Sequence, residues 1–227
     1  MSVEEVQDRG KCVLCDEMIS KRQMTRHLKK CVAKTAAGGG KKTKLFHLVI
    51  EGKYSPEYWL HIEIPGTMTL VDIDAFLRKI WLECCGHMSC FTIYGGRFAS
   101  HPMDEDEMFG FGDMHESSMK QKISKVLEDK SKFAHEYDYG STTELKLRVV
   151  GIRDANIKSA KITLLARNEP PEWECVKCSK PATQVHALGL GADCESVFCD
   201  KCMHKEEDEE MFLPLVNSPR TGVCAYC

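Results

Sequence analysis

The spacing of its cysteines constrains this chain more than any other feature. Among thirteen cysteines, Cys12 and Cys15, Cys175 and Cys178, Cys199 and Cys202, and Cys224 and Cys227 form pairs separated by two residues. The chain opens on MSVEEVQDRG, which is acidic and polar and unlike a secretory leader. A reducing, cytoplasmic setting is therefore expected, where paired thiols hold metal rather than disulfides. Mean hydropathy is −0.32 and long uncharged apolar runs are absent, so membrane-spanning helices are not expected.

The first pair belongs to a four-ligand set, Cys12, Cys15, His27 and Cys31. Zinc prefers four soft or borderline ligands in a tetrahedron, and a two-residue knuckle followed by a helix carrying the other two supplies it. Ser20 and Gln23 fit a capping box, which starts that helix near Ser20. His27 and Cys31 then lie four apart and face the same way. Ile19, Met24 and Leu28 are the available core. So small a unit takes most of its stability from the metal.

The second set is Cys175, Cys178, Cys199 and Cys202, two pairs at zinc-ribbon spacing that close a tetrahedron without an open position. Cys224 and Cys227 either replace one of these pairs or build a further site with Cys194, His186 or His204. An acidic helix, Glu206–Glu210, is expected after the ribbon. Two or more zinc ions are thus expected.

Between these units the pattern changes. Tyr58, Leu60, Ile62 and Ile64 alternate with Trp59, His61 and Glu63, the signature of a half-buried strand, and Lys44–Glu51 completes a hairpin. Thr69 and Asp72 cap a helix whose Ile73, Phe76, Leu77, Ile80, Trp81 and Cys84 share one face, ending at Gly86. Strands follow at 90–94, 133–139, 143–153 and 158–167, with a short helix over 119–127 and an acidic loop over 101–114. Hairpin, helix, then strands reads as an α+β class domain, a β-grasp-like mixed sheet with packed helices, flanked by two small zinc-binding units. The boundaries are 1–34 for the finger, 35–44 for a flexible basic linker with three consecutive glycines, 45–169 for the body and 170–227 for the cysteine-rich ribbon. On this reading the finger moves independently of the body.

Two resemblances follow. Cys12 to Cys31 resembles C-C-H-C zinc fingers, with spacing like that of ubiquitin-binding fingers of DNA-repair proteins. Trp81–Phe91 (WLECCGHMSCF) and Phe133–Leu145 (FAHEYDYGSTTEL) resemble the HL-x-x-F and Y-D-F-G-D-x-W stretches of the plasmid pRiA4b ORF-3-like family, also labelled insertion-element passenger TnpR-like. Leu213–Cys224 is similar to the ending of its zinc-bearing members. The resemblance implies an α+β fold and no particular activity.

Charge supplies the functional expectation. Residues 1–44 carry 11 Lys and Arg against 5 Asp and Glu, whereas residues 171–227 carry 5 against 10. Lys21, Arg22, Arg26, Lys29, Lys30, Lys34, Lys41 and Lys42 suit phosphate contacts, so DNA, ribosomal RNA or a ribonucleoprotein is the expected partner. An adaptor that docks on a protein, conceivably a ubiquitin-like one, is the alternative. Enzymatic activity and a small-molecule substrate are not expected. Asp104–Glu107 lack a rigid flank, and Cys84, Cys85 and Cys90 read as small buried hydrophobes. His87 reads as a helix-end cap, and Asp138 as a partner of local amides in a turn that Gly140 permits.

Overall fold

Apolar alternation builds the hairpin at the centre of the structure. In the computed structural model, which describes residues 8–35, 39–102, 116–187, 196–224 and 226, β3 (Lys41–Gly52) pairs antiparallel with β4 (Trp59–Pro65), Leu45 opposite Pro65 and Glu51 opposite Trp59. Around it lie β1 (Arg9–Cys12), β2 (Met18–Ser20), β5 (Ser89–Ile93), β6 (Gly96–Ala99), β7 (Glu116–Ser118), β8 (Lys132–Tyr137), β9 (Thr143–Ile157) and β10 (Thr163–Asn168). These ten strands make one sheet in the order β2-β1-β10-β4-β3-β9-β8-β5-β6-β7. The sheet is mixed only through the parallel pair β6–β7. A second sheet orders β12 (Val197–Phe198), β11 (Gln184–His186) and β13 (Phe212–Pro214). Among the described residues, no helix is long and apolar enough to cross a membrane.

One sheet face carries the main core. Leu48, Ile50, Leu60, Ile62, Phe91 and Leu147 meet Leu70, Ile73, Leu77 and Trp81 from α2 (Leu70–Leu77) and the π turn that extends it, Arg78–Leu82. Thr69 donates its backbone N–H to the Asp72 carboxylate at 2.7 Å, closing the expected capping box. Phe76, Ile80 and Cys84 pack only at the edge of the core, while Trp81, in the π turn, is fully buried. The 119–127 helix shrinks to α3 (Ile123–Val126), and the expected acidic loop lies mostly in residues 103–115, outside the described ones.

The other face overturns three expectations. β4 is buried on both sides, because α1 (Lys21–Thr35) covers the face carrying Trp59 and His61. Met24, Leu28 and Val32 from α1 share a cluster with Trp59, Leu165 and Ala166 of the sheet. The N-terminal unit is therefore packed on the body rather than free of it, and β1 joins the large sheet by pairing with β10. Gly10 allows that approach, since a Cβ there would meet the Trp59 ring at 2.5 Å. The linker shortens accordingly. α1 reaches Thr35, residues 36–38 are outside the described ones, and Lys41–Lys44 already pair with Asp154–Ile157.

Under α1 two histidines face each other, His47 Nε2 standing 2.9 Å from His61 Nδ1, with both side chains buried. Burial, then the positive charges of Lys29, Arg148 and Arg153, pull His47 from 6.5 down to about 4. Burial, then His47, Arg148 and Lys21, pull His61 well below 6.5. Both imidazoles are neutral in the fold at pH values where the unfolded chain protonates them. Their contribution is intact above 6.5 and is lost as pH falls below it, for His47 down to about 4, each histidine costing up to about 1.4 kcal/mol per pH unit. The stability difference between wild type and the His47→Leu/His61→Leu variant, measured by urea denaturation from pH 7 to 5, should therefore shift steadily against wild type. Parallel pH profiles would remove this role.

Candidate metal centres and a basic face

The hairpin of β1 and β2 presents the first ligand pair. Asp16 donates its N–H to the Cys12 carbonyl at 2.8 Å and takes the left-handed conformation, which curls Cys15 back beside Cys12. His27 and Cys31 project one turn apart from α1. Cys12 Sγ lies 4.0 Å from Cys31 Sγ, and Cys15 Sγ 3.3 Å from His27 Nε2. Two thiolates on a zinc tetrahedron stand about 3.8 Å apart, and a thiolate and an imidazole about 3.6 Å, given bonds of about 2.3 and 2.0 Å. The donors fit. Burial pushes the Cys31 thiol up to about 12, and burial also raises Cys12, so without an ion both are protonated. A bound cation reverses that order by stabilising the thiolates.

The C-terminal group is built differently. Cys178 and Ser179 both donate N–H to the Cys175 carbonyl, forming a knuckle, while Cys199 precedes α4 (Asp200–Met203) and Cys202 sits within it. Cys178 Sγ lies 3.7 Å from Cys199 Sγ, and the four ligand atoms lie within 4.8 Å of one another. Burial would raise the Cys175 thiol, but backbone N–H groups of Cys199, Lys177 and Cys178 outweigh it and hold the thiol at about 6. Cys175 is thus poised as the anion a metal needs, whereas the neighbouring Cys178 thiol, then burial, push Cys202 up to about 12. The expected acidic helix is instead a single 3-10 turn, Glu209–Met211.

The structure sends the remaining candidates elsewhere. His186 Nε2 faces Asp208 at 2.8 Å and His204 Nδ1 faces Glu209 at 2.5 Å. Cys194 and Cys227 lie outside the described residues. Cys224 leaves the C-terminal group altogether and joins Cys84, Cys85 and His87 in a third cluster, whose ligand atoms lie within 4.8 Å of one another. Cys85 is exposed there, contrary to its reading as a buried hydrophobe, and His87 takes part instead of capping the helix. Cys90 is fully buried, as expected. Asp138 does accept the Gly140 N–H at 3.0 Å, although Asp138 rather than Gly140 takes the left-handed conformation. A Cys-Cys-x-His sequence past a helix end was the available signal for this cluster. The described residues thus contain three Cys/His groups close enough to bind metal ions.

The predicted phosphate contacts divide. Arg22, Arg26, Lys29 and Lys30 form one exposed stripe along α1, opposite the buried Met24, Leu28, Cys31 and Val32. Lys21 is not part of it: its ammonium lies 3.1 Å from Glu51 and donates to the Pro56 carbonyl at 2.6 Å, fastening α1 to the sheet. Lys41 and Lys42 belong to β3, and Lys42 pairs with Asp154 at 3.3 Å. The side chain of Lys34 is outside the described residues. A shallow groove on the sheet adds Lys132, Lys146 and Arg148, which sequence reasoning passed over as ordinary alternation. Glu51, which lines this groove, holds Lys21 of α1, placing groove and stripe on the same side of the sheet.

Comparison with known proteins bears on the body and on the first cysteine pair of the C-terminal unit. The model of the plasmid pRiA4b ORF-3-like protein family matches residues 45–178. No curated protein matches the chain. A crystal structure of a protein of unknown function from Methanosarcina mazei Go1 is 20% identical, with a TM-score of 0.44 over 53% of this chain and 68% of that one.

Metal analysis of the purified protein should return at least two ions per chain. Cys31→Ser and Cys202→Ser should each remove one, and Cys31→Ser should also loosen α1, because the buried thiol helps hold it over Trp59. One ion or fewer in the wild type would exclude these assignments.

Proposed function

The chain belongs to the plasmid pRiA4b ORF-3-like family, and we propose that it is a non-enzymatic zinc protein that binds nucleic acid through its basic face. Zinc is the ion that suits both closed groups: three cysteines and a histidine at the N-terminal finger, and four cysteines at the C-terminal ribbon. Both sets are soft or borderline ligands with no position left for water. The observation that carries the reading is the stripe of Arg22, Arg26, Lys29 and Lys30. Among the described residues none of the four forms an ion pair, and all are exposed on a helix whose other face is locked by core and ligands. Unpaired cations on a rigid element exchange condensed counterions for phosphates, which gives affinity without base readout. Lys132, Lys146 and Arg148 extend the same positive field onto the sheet. Duplex or single-stranded DNA and structured RNA all present the required phosphates.

Fluorescence anisotropy with generic duplex DNA and RNA between 50 and 200 mM salt tests this. Wild type should show log affinity falling linearly with log salt concentration, with a slope of about −0.9 per phosphate contact on duplex DNA. The Arg26→Glu/Lys29→Glu/Lys30→Glu variant should lose at least three contacts' worth of that slope and bind more weakly to every sequence, with zinc content unchanged. Equal binding by the variant would identify the stripe as solvated surface. The adaptor reading, with the acidic segment from Glu206, would then replace this one.

A further inference from the structure

We infer that Cys84, Cys85, His87 and Cys224 form a third structural zinc site, one that staples the C-terminal segment to the end of α2. The ligands come from two stretches 137 to 140 residues apart, a separation at which spacing alone does not pair them. Cys85 Sγ lies 3.7 Å from Cys224 Sγ, and Cys224 Sγ 3.8 Å from His87 Nε2. These match the edges of a zinc tetrahedron, about 3.8 Å between thiolates and about 3.6 Å between thiolate and imidazole. Three thiolates and an imidazole saturate it, so the ion's role is structural.

The supporting contacts bring both halves into register for an ion. Gly86 takes the left-handed conformation, φ +74°, turning the chain so that Cys84, Cys85 and His87 converge. The Glu83 carboxylate accepts the Gly86 N–H at 2.5 Å and the Tyr137 hydroxyl at 3.1 Å. The Tyr137 oxygen in turn accepts the N–H groups of His87, at 3.3 Å, and Cys84, at 3.5 Å. On the other side Ser218 donates its hydroxyl to the Trp81 carbonyl at 2.6 Å, and Arg220 enters the body completely buried. Its guanidinium donates to Asp138 at 2.7 Å, to the Ser141 carbonyl and the Thr143 hydroxyl at 3.0 Å, and to Cys84 Sγ at 3.4 Å. A cation donating to a ligand sulfur stabilises the thiolate that a metal requires. Asp138 Oδ2 also stands 3.6 Å from His87 Nε2, but it is already held by Arg220 and serves as the counter-charge. Cys85 and Cys224 are exposed, which leaves an entry path for the ion.

The full chain, purified under reducing conditions, should carry three zinc ions by elemental analysis and native mass spectrometry. Cys85→Ser and Cys224→Ser, both at exposed positions, should each carry two. Loss of the ion should also free the tail, so trypsin should cut after Arg220 several-fold faster in Cys224→Ser than in wild type. Two ions in wild type with no change in Cys85→Ser would overturn the site. So would an intact mass showing a Cys85–Cys224 disulfide in zinc-replete protein. Unchanged cleavage despite loss of the ion would overturn the staple. Nucleic-acid binding enters none of these readouts, so the site and the proposed function stand or fall separately.

Discussion

Strand β4 is buried along its whole length, and that burial obliges the two ends of the molecule to fold together. Leu60, Ile62 and Ile64 belong to the main core, while Trp59 and His61 need a second cover. α1 supplies it. Met24 and Leu28 would have almost nothing to bury against within so short a unit, and each gains about 1.5–3 kcal/mol only by meeting Trp59, Leu165 and Ala166. The dependence runs both ways, because an uncovered Trp59 beside two neutral histidines would leave the sheet exposing a large apolar patch. An ion at Cys12, Cys15, His27 and Cys31 would therefore act on the body's stability as well as on the finger's.

The opposite corner uses a charge where α1 uses hydrocarbon. Arg220 is fully buried, and burial of a lone guanidinium is prohibitive unless its donors are answered. Asp138, Ser141, Thr143 and Cys84 answer four of them, the plane lies over the Tyr137 ring at 4.9 Å, and Nε is left without a partner. Removing either member of such a pair costs about 3–5 kcal/mol, because it strands the other. A hydrophobic residue would fill the space with less risk. What the charge adds is position: a planar fork read by two chain segments fixes the register of the tail, as the convergence of Cys224 on His87 requires.

Local signals in the sequence carried well. The β3–β4 hairpin, the Thr69–Asp72 cap, the first metal group and the Cys175–Cys202 group all rest on residues that are near in sequence or that follow a strict spacing. Features that depend on what lies across a sheet were not legible. Alternation in β4 reads as one wet face, since nothing in its own residues announces a helix from the N-terminus above it. Lys21 looks like any other basic residue of the arm, yet Glu51 and the Pro56 carbonyl claim it. The helical period of the sequence runs to Cys84, whereas the helix itself ends in a π turn at Leu82, and nothing local announces that Cys84 and its neighbour Cys85 meet Cys224.

Metal charge sharpens the meaning of the basic helix. With zinc bound, three thiolates and a dication leave the N-terminal group at about −1, and four thiolates leave the C-terminal group at about −2. One nearby cation would neutralise the first, yet four stand exposed along α1. Nor does the chain compensate such groups as a rule, since the C-terminal group carries the larger negative charge and is followed by Glu206, Glu207, Asp208, Glu209 and Glu210. Balancing thiolates thus accounts for about one of the four cations and, judged by the other end of the chain, for none. Solubility does not demand them either, because a net charge of −3 is moved towards zero by every added lysine or arginine. A surplus of positive charge that serves neither the metal nor the solvent supports the polyanionic partner proposed above.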